Sequence, residues 1–170
     1  MLGVYDNFPV NIHLSETLTS ALSKRKLQER IIQVLQEVNR KTFSFEEVGS
    51  PNQPNCTIIF EFGIANGEVF SYLDEEEARK MQYALAKDAM QIIDWYCSVR
   101  YYKNVKKERT PLKFDYYMLR MNFIEKGAVE LLVFHERGPR YISAEEIVDF
   151  IESKVNQTSN RKILKRTQQN

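Results

Sequence analysis

Cysteine is scarce in this chain of 170 residues, where it occurs only as Cys56 and Cys97. Two cysteines cannot build a disulfide framework, and no Cys-x-x-Cys pair is present to begin a zinc site. Only His13 and His135 could join them as soft metal ligands. The sequence therefore predicts no metal site. It favours two buried thiols in a reducing compartment, the cytoplasm.

Glycine is also scarce, with six residues in the chain, and none of them forms a glycine-rich phosphate loop. The GxSxG, HExxH and GxGxxG signatures are missing as well. These absences disfavour the common nucleotide-dependent enzymes and predict that the protein uses no cofactor. A basic-then-apolar leader is missing too, and no stretch reaches the roughly 18 apolar residues of a membrane span. We therefore expect a soluble protein without membrane contact.

Neither sign of charge is in excess, since the chain has 24 basic and 23 acidic residues and a net charge of +1. A basic footprint over the whole molecule is thereby excluded, so any argument from charge must be local. Hydrophobic residues make up 43% of the chain, which is enough for a core. We predict a single domain over residues 1–156, followed by a polar, basic C-terminal tail over residues 157–170.

Apolar residues at helical spacing predict three helices. The first covers Ser15 to Lys41, with a polar stretch at 23–26 that permits a break. The second begins after Asp74, a good N-cap residue. The third follows Ser143-Ala-Glu-Glu146, a clear capping box.

Alternating residues predict an antiparallel sheet of five to six strands. An Asn66-Gly67 pair between two alternating runs, 57–65 and 68–73, is the strongest short-range signal for a β-hairpin. Three further strands form a meander: they cover 93–102, 112–124 and 128–136, and a polar loop at 103–110 joins the first two. Another loop is predicted at 49–54. The fold class is therefore α+β, with an antiparallel sheet covered by about three helices.

Asp115 and Glu130, on neighbouring strands of the meander, are the first catalytic candidates. A helix, a three-stranded meander and another helix follow one another in an order that resembles the core of the PD-(D/E)xK nucleases. That resemblance implies a divalent cation held by the two carboxylates and a lysine beside the attacking water. The chain departs from the pattern at Leu132, where the lysine should stand, although Lys113 shares the parity of Asp115. Otherwise both carboxylates are strand residues that face solvent and pair with lysines or arginines.

His135 is the third catalytic candidate. It stands near the end of a strand beside Glu136 and Arg137, where an imidazole can act as a general acid or base. A histidine in this position also satisfies hydrogen bonds at a strand end. No serine or cysteine can be tied to His135 from the sequence.

A basic and aromatic segment between residues 100 and 120 is a candidate nucleic-acid surface. Its seven cations outnumber its two acids, and tyrosines stand among them. The cations are Arg100, Lys103, Lys106, Lys107, Arg109, Lys113 and Arg120. The tail adds a second basic group, which comprises Arg161, Lys162, Lys165 and Arg166. The alternative is an ordinary solvated turn.

The predicted strands carry large residues on both faces, as at Trp95 and Tyr96. A sheet that is apolar on both faces needs cover on both, and three helices do not suffice for that area. We therefore favour a binding or assembly module that meets a protein partner or a second copy of itself, without enzymatic activity. A nucleic-acid-associated protein is the alternative, and a metal-dependent nuclease is the second alternative.

Overall fold

The computed structural model describes residues 2–49, 55–125 and 127–167. Within these residues, three α-helices pack against one sheet of nine antiparallel strands. The α+β class is therefore confirmed, while the sheet is larger than the five to six strands predicted. The helices are α1 (Lys24–Val38), α2 (Glu75–Lys87) and α3 (Ala144–Asn156). The strands are β1 (Gly3–Val4), β2 (Leu14–Ser20), β3 (Thr42–Ser44), β4 (Cys56–Asn66), β5 (Val69–Tyr72), β6 (Ile92–Val105), β7 (Glu108–Ile124), β8 (Ala128–Arg137) and β9 (Leu164–Arg166).

The strands lie side by side in the order β1-β5-β4-β6-β7-β8-β2-β9, and β3 pairs with β4. Long pairings join the three central strands, since β6 pairs with β4 from Trp95 to Lys103 and with β7 along its whole length. The hairpin at Asn66-Gly67 is confirmed, with Gly67 at a positive φ of 67° in the turn. Asp74 and Ser143 cap α2 and α3 as predicted.

The first predicted helix is wrong over its first nine residues, 15–23. Residues 15–20 belong to β2, which pairs with β8 and β9, and the helix begins only after Ser23, whose side chain accepts the N–H of Lys26. Leu18 is buried on the sheet, while Thr17 and Thr19 are β-branched and suit a strand. Non-local strand pairing therefore outweighs the helical spacing of leucines.

The predicted loop at 103–110 is also wrong. Strands β6 and β7 continue through it and are joined at Lys106 and Lys107, of which Lys106 has a φ of 59°. Backbone hydrogen bonding between two long strands is available to this polar segment even without burial. Of the loop predicted at 49–54, all but Gly49 lies outside the described residues.

Part of the segment predicted as a basic tail packs onto the sheet. Leu164–Arg166 form β9 at the edge of β2, and Ile163 and Leu164 are buried. Arg166 pairs with Glu16 of β2 and with Asp149 and Glu152 of α3. The apolar pair supplies the burial that holds this segment in place. Residues 168–170 lie outside the described residues.

All three helices lie on one face of the sheet. There the inward residues of β4, β6, β7 and β8 form the core, including Phe60, Trp95, Leu119 and Val133. Phe150 of α3 packs on Phe60 with ring centroids 4.7 Å apart. The opposite face, called the open face here, carries no helix within the described residues. None of the described helices is both long and apolar enough to cross a membrane.

Candidate functional site

Asp115 lies on the helix side of β7 and is completely buried. Its carboxylate accepts four hydrogen bonds: from Tyr101 Oη at 2.5 Å, His135 Nε2 at 2.8 Å, and the backbone N–H groups of Arg140 at 2.7 Å and Tyr141 at 3.0 Å. Both oxygens therefore have protein partners, as a buried carboxylate requires.

His135 is held from both sides of its ring. Arg140 Nε, which can only donate, lies 3.1 Å from Nδ1, so Nδ1 accepts and Nε2 carries the proton given to Asp115. The backbone N–H of His135 donates to Nδ1 of His13 at 2.8 Å. Because both ring nitrogens are engaged within the protein, the imidazole has no free lone pair for general-base catalysis.

The Asp115 cluster fixes the chain between β8 and α3. Gly138, at a φ of 113°, passes so close to Phe114 and Asp115 that a Cβ there would collide with both. Burial raises the pKa of the Tyr101 hydroxyl far above its ordinary value, and the hydrogen bond to Asp115 raises it further. Burial likewise raises the pKa of the Cys97 thiol. These groups stay neutral around the carboxylate, which is the chemistry of a structural anchor.

Glu130 does not join Asp115. It lies on the open face opposite Asn122, seven residues along β7 from Asp115. At about 3.3 Å per residue, that spacing is roughly 23 Å. Leu132 is also on the open face. The two carboxylates therefore do not form the shared cation site that a nuclease-like reaction requires. Among the described residues, no group of three or more acidic, histidine or cysteine side chains is placed to hold a metal.

An N-terminal strap, residues 5–13, crosses the open face. It links β1 on one side of the sheet to β2 on the other. The Tyr5 hydroxyl donates to Asp94, the Phe8 ring lies 4.7 Å from the Arg120 guanidinium, and His13 stacks on Phe134. The strap thus covers the part of the open face that neighbours Asp94 and Arg120.

A row of aromatic rings lies on the open face beyond the strap. Tyr96 and Tyr116 have centroids 6.0 Å apart, and Tyr116 and Phe114 have centroids 6.2 Å apart. The Arg137 guanidinium lies 4.1 Å from the centre of the Tyr116 ring. Burial raises the pKa of Tyr96 to about 12, so its hydroxyl stays protonated at alkaline pH values at which an ordinary tyrosine ionises.

Two of the predicted nucleic-acid cations are neutralised within the protein. Arg120 makes two hydrogen bonds to Asp94, at 2.8 and 2.9 Å, and these raise the pKa of its guanidinium. Arg100 pairs with Glu61 at 2.5 Å. A phosphate would have to compete with these carboxylates, so the structure does not favour Arg100 and Arg120 as phosphate ligands.

The other five predicted cations lie together on the basic hairpin, residues 103–113. They are Lys103, Lys106, Lys107, Arg109 and Lys113, and all are exposed. Within the part of the chain that the structure describes, none of the five makes an ion pair. The Arg109 guanidinium lies 4.4 Å from the centre of the Tyr102 ring.

The basic hairpin projects past β8, because β7 pairs with β8 only from Tyr116 onward. A groove of about 600 Å³ lies at the base of the hairpin. The residues of this aromatic groove are Leu112, Lys113, Phe114, Tyr116, Arg137, Gly138 and Pro139. Its walls therefore combine apolar rings with two cations.

Arg137 is the member of this surface that the sequence did not single out as a ligand. A register shift between Tyr116 and Tyr117 sets Arg137 opposite Tyr116 and His135 opposite Tyr117. Strict alternation from the buried His135 would have placed Arg137 on the helix side. The only signal in the sequence was its place in the distinctive run His135-Glu-Arg-Gly-Pro139.

The basic residues of the C-terminal segment do not extend this surface. Strand β9 pairs with Leu18–Ser20 of β2, near the turn between β7 and β8, whereas the hairpin projects from the other end of β7. Arg166 is also held by three carboxylates. The second basic group predicted in the tail therefore lies at the opposite end of β7 from the hairpin.

Comparison with protein-family models gives no match, and neither the curated proteins nor the solved structures contain a significant relative of this chain.

Proposed function

We propose that this protein is a nucleic-acid-associated binding module. The observation that carries the proposal is the basic hairpin, which has five exposed cations and contributes one of them, Lys113, to an aromatic groove at its base. Lysine and arginine bind phosphates, and aromatic rings bind bases. This pairing of residue types suits nucleic acid better than it suits a polyanion without rings.

A nearly neutral protein is compatible with this function. At physiological salt, exposed charges are screened beyond about 8 Å. A phosphate at the hairpin therefore responds mainly to the five local cations and to Glu108, the one acid within residues 103–113. The acidic residues elsewhere in the chain have little effect at that distance.

Charge reversal tests the proposal. We expect a fluorescently labelled single-stranded oligonucleotide to bind at low salt, with an increase in fluorescence anisotropy. Reversal of Lys106, Lys107 and Arg109 to glutamate should weaken binding by at least tenfold, because attraction becomes repulsion at three adjoining positions.

Arg25, Lys26 and Arg79 provide the matched control. They are exposed on α1 and α2, on the far side of the sheet, and their reversal changes the net charge equally. The control should keep the affinity of the unaltered protein. Absence of binding at low salt, or equal losses in the two triple variants, would contradict the proposal.

Self-association through the open face is a second candidate, and it keeps the assembly role predicted from the sequence. The helices cover one face alone, while Met118, Leu132 and Phe134 are only half-buried on the other. On this face Arg120 is paired with Asp94 and Arg100 with Glu61, which neutralises both guanidinium groups. Such a surface suits a second copy of itself across a two-fold axis.

Light scattering after size exclusion tests the second candidate. It predicts a dimer that Met118→Glu converts to a monomer, while Thr17→Glu, near the edge of the same face, leaves the dimer intact. A monomer at all concentrations would contradict it. For the cellular location we keep the cytoplasm, because Cys56 and Cys97 are buried free thiols.

A further inference from the structure

We infer that the ligand of the aromatic groove is a single-stranded nucleic acid, one base of which stacks on the Arg137–Tyr116 pair. This inference rests on the proposed function and specifies the form of its ligand. It concerns a different part of the surface, since the proposed function depends on the cations of the hairpin and the inference depends on the rings of the groove.

The Arg137–Tyr116 pair forms the platform for that base. Arg137 is exposed, and its guanidinium lies 4.1 Å from the centre of the half-buried Tyr116 ring. Guanidinium planes stack on bases as aromatic rings do, and the positive charge adds attraction to the π-face. Phe114 lies beside Tyr116, with its ring plane tilted by 57° from that of Tyr116, and adds apolar surface to the groove.

Cations line the groove on two sides. Lys113 lines the groove on the hairpin side, and Arg137 lines it on the β8 side. Lys107 and Arg109 stand further out on the same hairpin. A strand that placed a base on the platform would therefore carry its flanking phosphates toward the hairpin.

The rings of the groove favour a single strand over a duplex. In a duplex each base is stacked between its neighbours, so its π-face is not available to a protein ring without unstacking. A basic β-ribbon can also enter the major groove of a duplex, and that mode would use the hairpin cations without the rings. The contribution of Phe114 and Tyr116 therefore separates the two modes.

The groove offers little for telling thymine from adenine. Its described lining contains no asparagine, glutamine, aspartate or glutamate side chain, the types that accept hydrogen bonds from base edges. We expect thymine and adenine strands to bind within a few-fold of each other, because stacking tolerates every base.

Three probes test the inference on the full chain: a labelled oligothymidylate of about 12 nucleotides, within the usual range of site sizes, a duplex of the same length, and inorganic polyphosphate. The single strand should bind at least fivefold more tightly than the duplex. Tyr116→Ala should weaken its binding by roughly tenfold, since stacking on one ring accounts for about five- to a hundredfold per base.

Two further variants test whether a folding defect, and not the loss of the ring, explains the weaker binding. Tyr116→Phe keeps the ring and should keep the affinity, whereas Tyr83→Ala removes an exposed tyrosine of α2, on the far side of the sheet, and should have no effect. Polyphosphate binding, which needs cations and no rings, should be equal in Tyr116→Ala and the unaltered protein. That equality shows that the cations of the hairpin remain available to an anion in the variant.

The possible outcomes separate the inference from the function on which it rests. Preference for the single strand, lost in Tyr116→Ala and kept in Tyr116→Phe, supports it. Equal binding of single strand, duplex and polyphosphate, insensitive to Tyr116→Ala, overturns the inference and leaves the hairpin as an electrostatic site. Absence of binding by all three probes overturns both.

Discussion

Arg137 on β8 stacks on Tyr116 of β7, with its guanidinium 4.1 Å from the centre of the ring. The contact joins two strands at the point where their pairing shifts register. It places a permanent positive charge above an aromatic ring at the mouth of the groove. This is the place where the two chemical features of the proposed surface, charge and ring, coincide.

Arg137→Lys should show what the guanidinium plane contributes. A lysine keeps the charge but loses the flat stacking surface, so affinity for a single strand should fall by roughly three- to fivefold. Arg137→Gln, which also removes the charge, should bind more weakly still. Fluorescence anisotropy with the oligothymidylate measures both. Equal affinity in all three proteins would show that Arg137 does not contact the strand.

Asp115→Asn should destabilise the fold. The amide has one acceptor oxygen in place of two and turns a donor toward N–H groups, so we expect a loss of about 3 kcal/mol in the free energy of unfolding. Glu130→Gln makes the same chemical change on the open face, at a half-buried position, and should cost less than about 0.5 kcal/mol. Urea unfolding compares them. Similar small losses in the two variants would mean that the Asp115 cluster is not a structural anchor.

The raised pKa of Tyr96 predicts that the protein loses stability at alkaline pH. Burial raises its pKa from the ordinary value of 10.0 to about 12, so between these values the folded chain keeps a proton that the unfolded chain releases. The stabilising effect is therefore complete below pH 10 and is lost as pH rises toward 12. In Tyr96→Phe the free energy of unfolding should fall less steeply across this window. If the free energy of unfolding fell equally steeply with pH in both proteins, the pKa shift would not belong to Tyr96.

Leu164→Ala tests whether the C-terminal segment belongs to the folded domain. The side chain is 1% exposed, so its truncation should cost about 2–3 kcal/mol in the free energy of unfolding. Lys165→Ala, at the exposed neighbouring position of β9, should cost less than about 0.5 kcal/mol. If Leu164→Ala is as stable as Lys165→Ala, this segment behaves as the tail predicted from the sequence.

Local chemistry explains what the sequence predicted correctly. The turn at Asn66-Gly67 and the capping box at Ser143 depend on residues within a few positions of each other, and both are found where the sequence placed them. The helix predicted from Ser15 failed because residues 15–20 pair with strands more than 100 residues away. Leucine spacing alone carries no information about such partners.

The candidate site depended on information that strand patterns lack. Each strand shows which of its residues alternate, but the face of Asp115 relative to Glu130 depends on the register between β7 and β8. Likewise, Arg100 and Arg120 were indistinguishable from the hairpin cations until their carboxylate partners, on strands β4 and β6, were known. The exposure of Lys106 and Lys107 was predictable, because these two residues form the turn between β6 and β7 and a turn exposes its side chains.

The salt dependence of oligothymidylate binding tests the nucleic-acid proposal most directly. For a single strand, each protein cation that contacts a phosphate steepens the slope of log affinity against log salt by about 0.7. The triple reversal of Lys106, Lys107 and Arg109 should therefore make the slope shallower by about 2, while the reversal of Arg25, Lys26 and Arg79 should leave it unchanged. A slope near zero in the unaltered protein, or the same slope in all three proteins, would contradict the proposal.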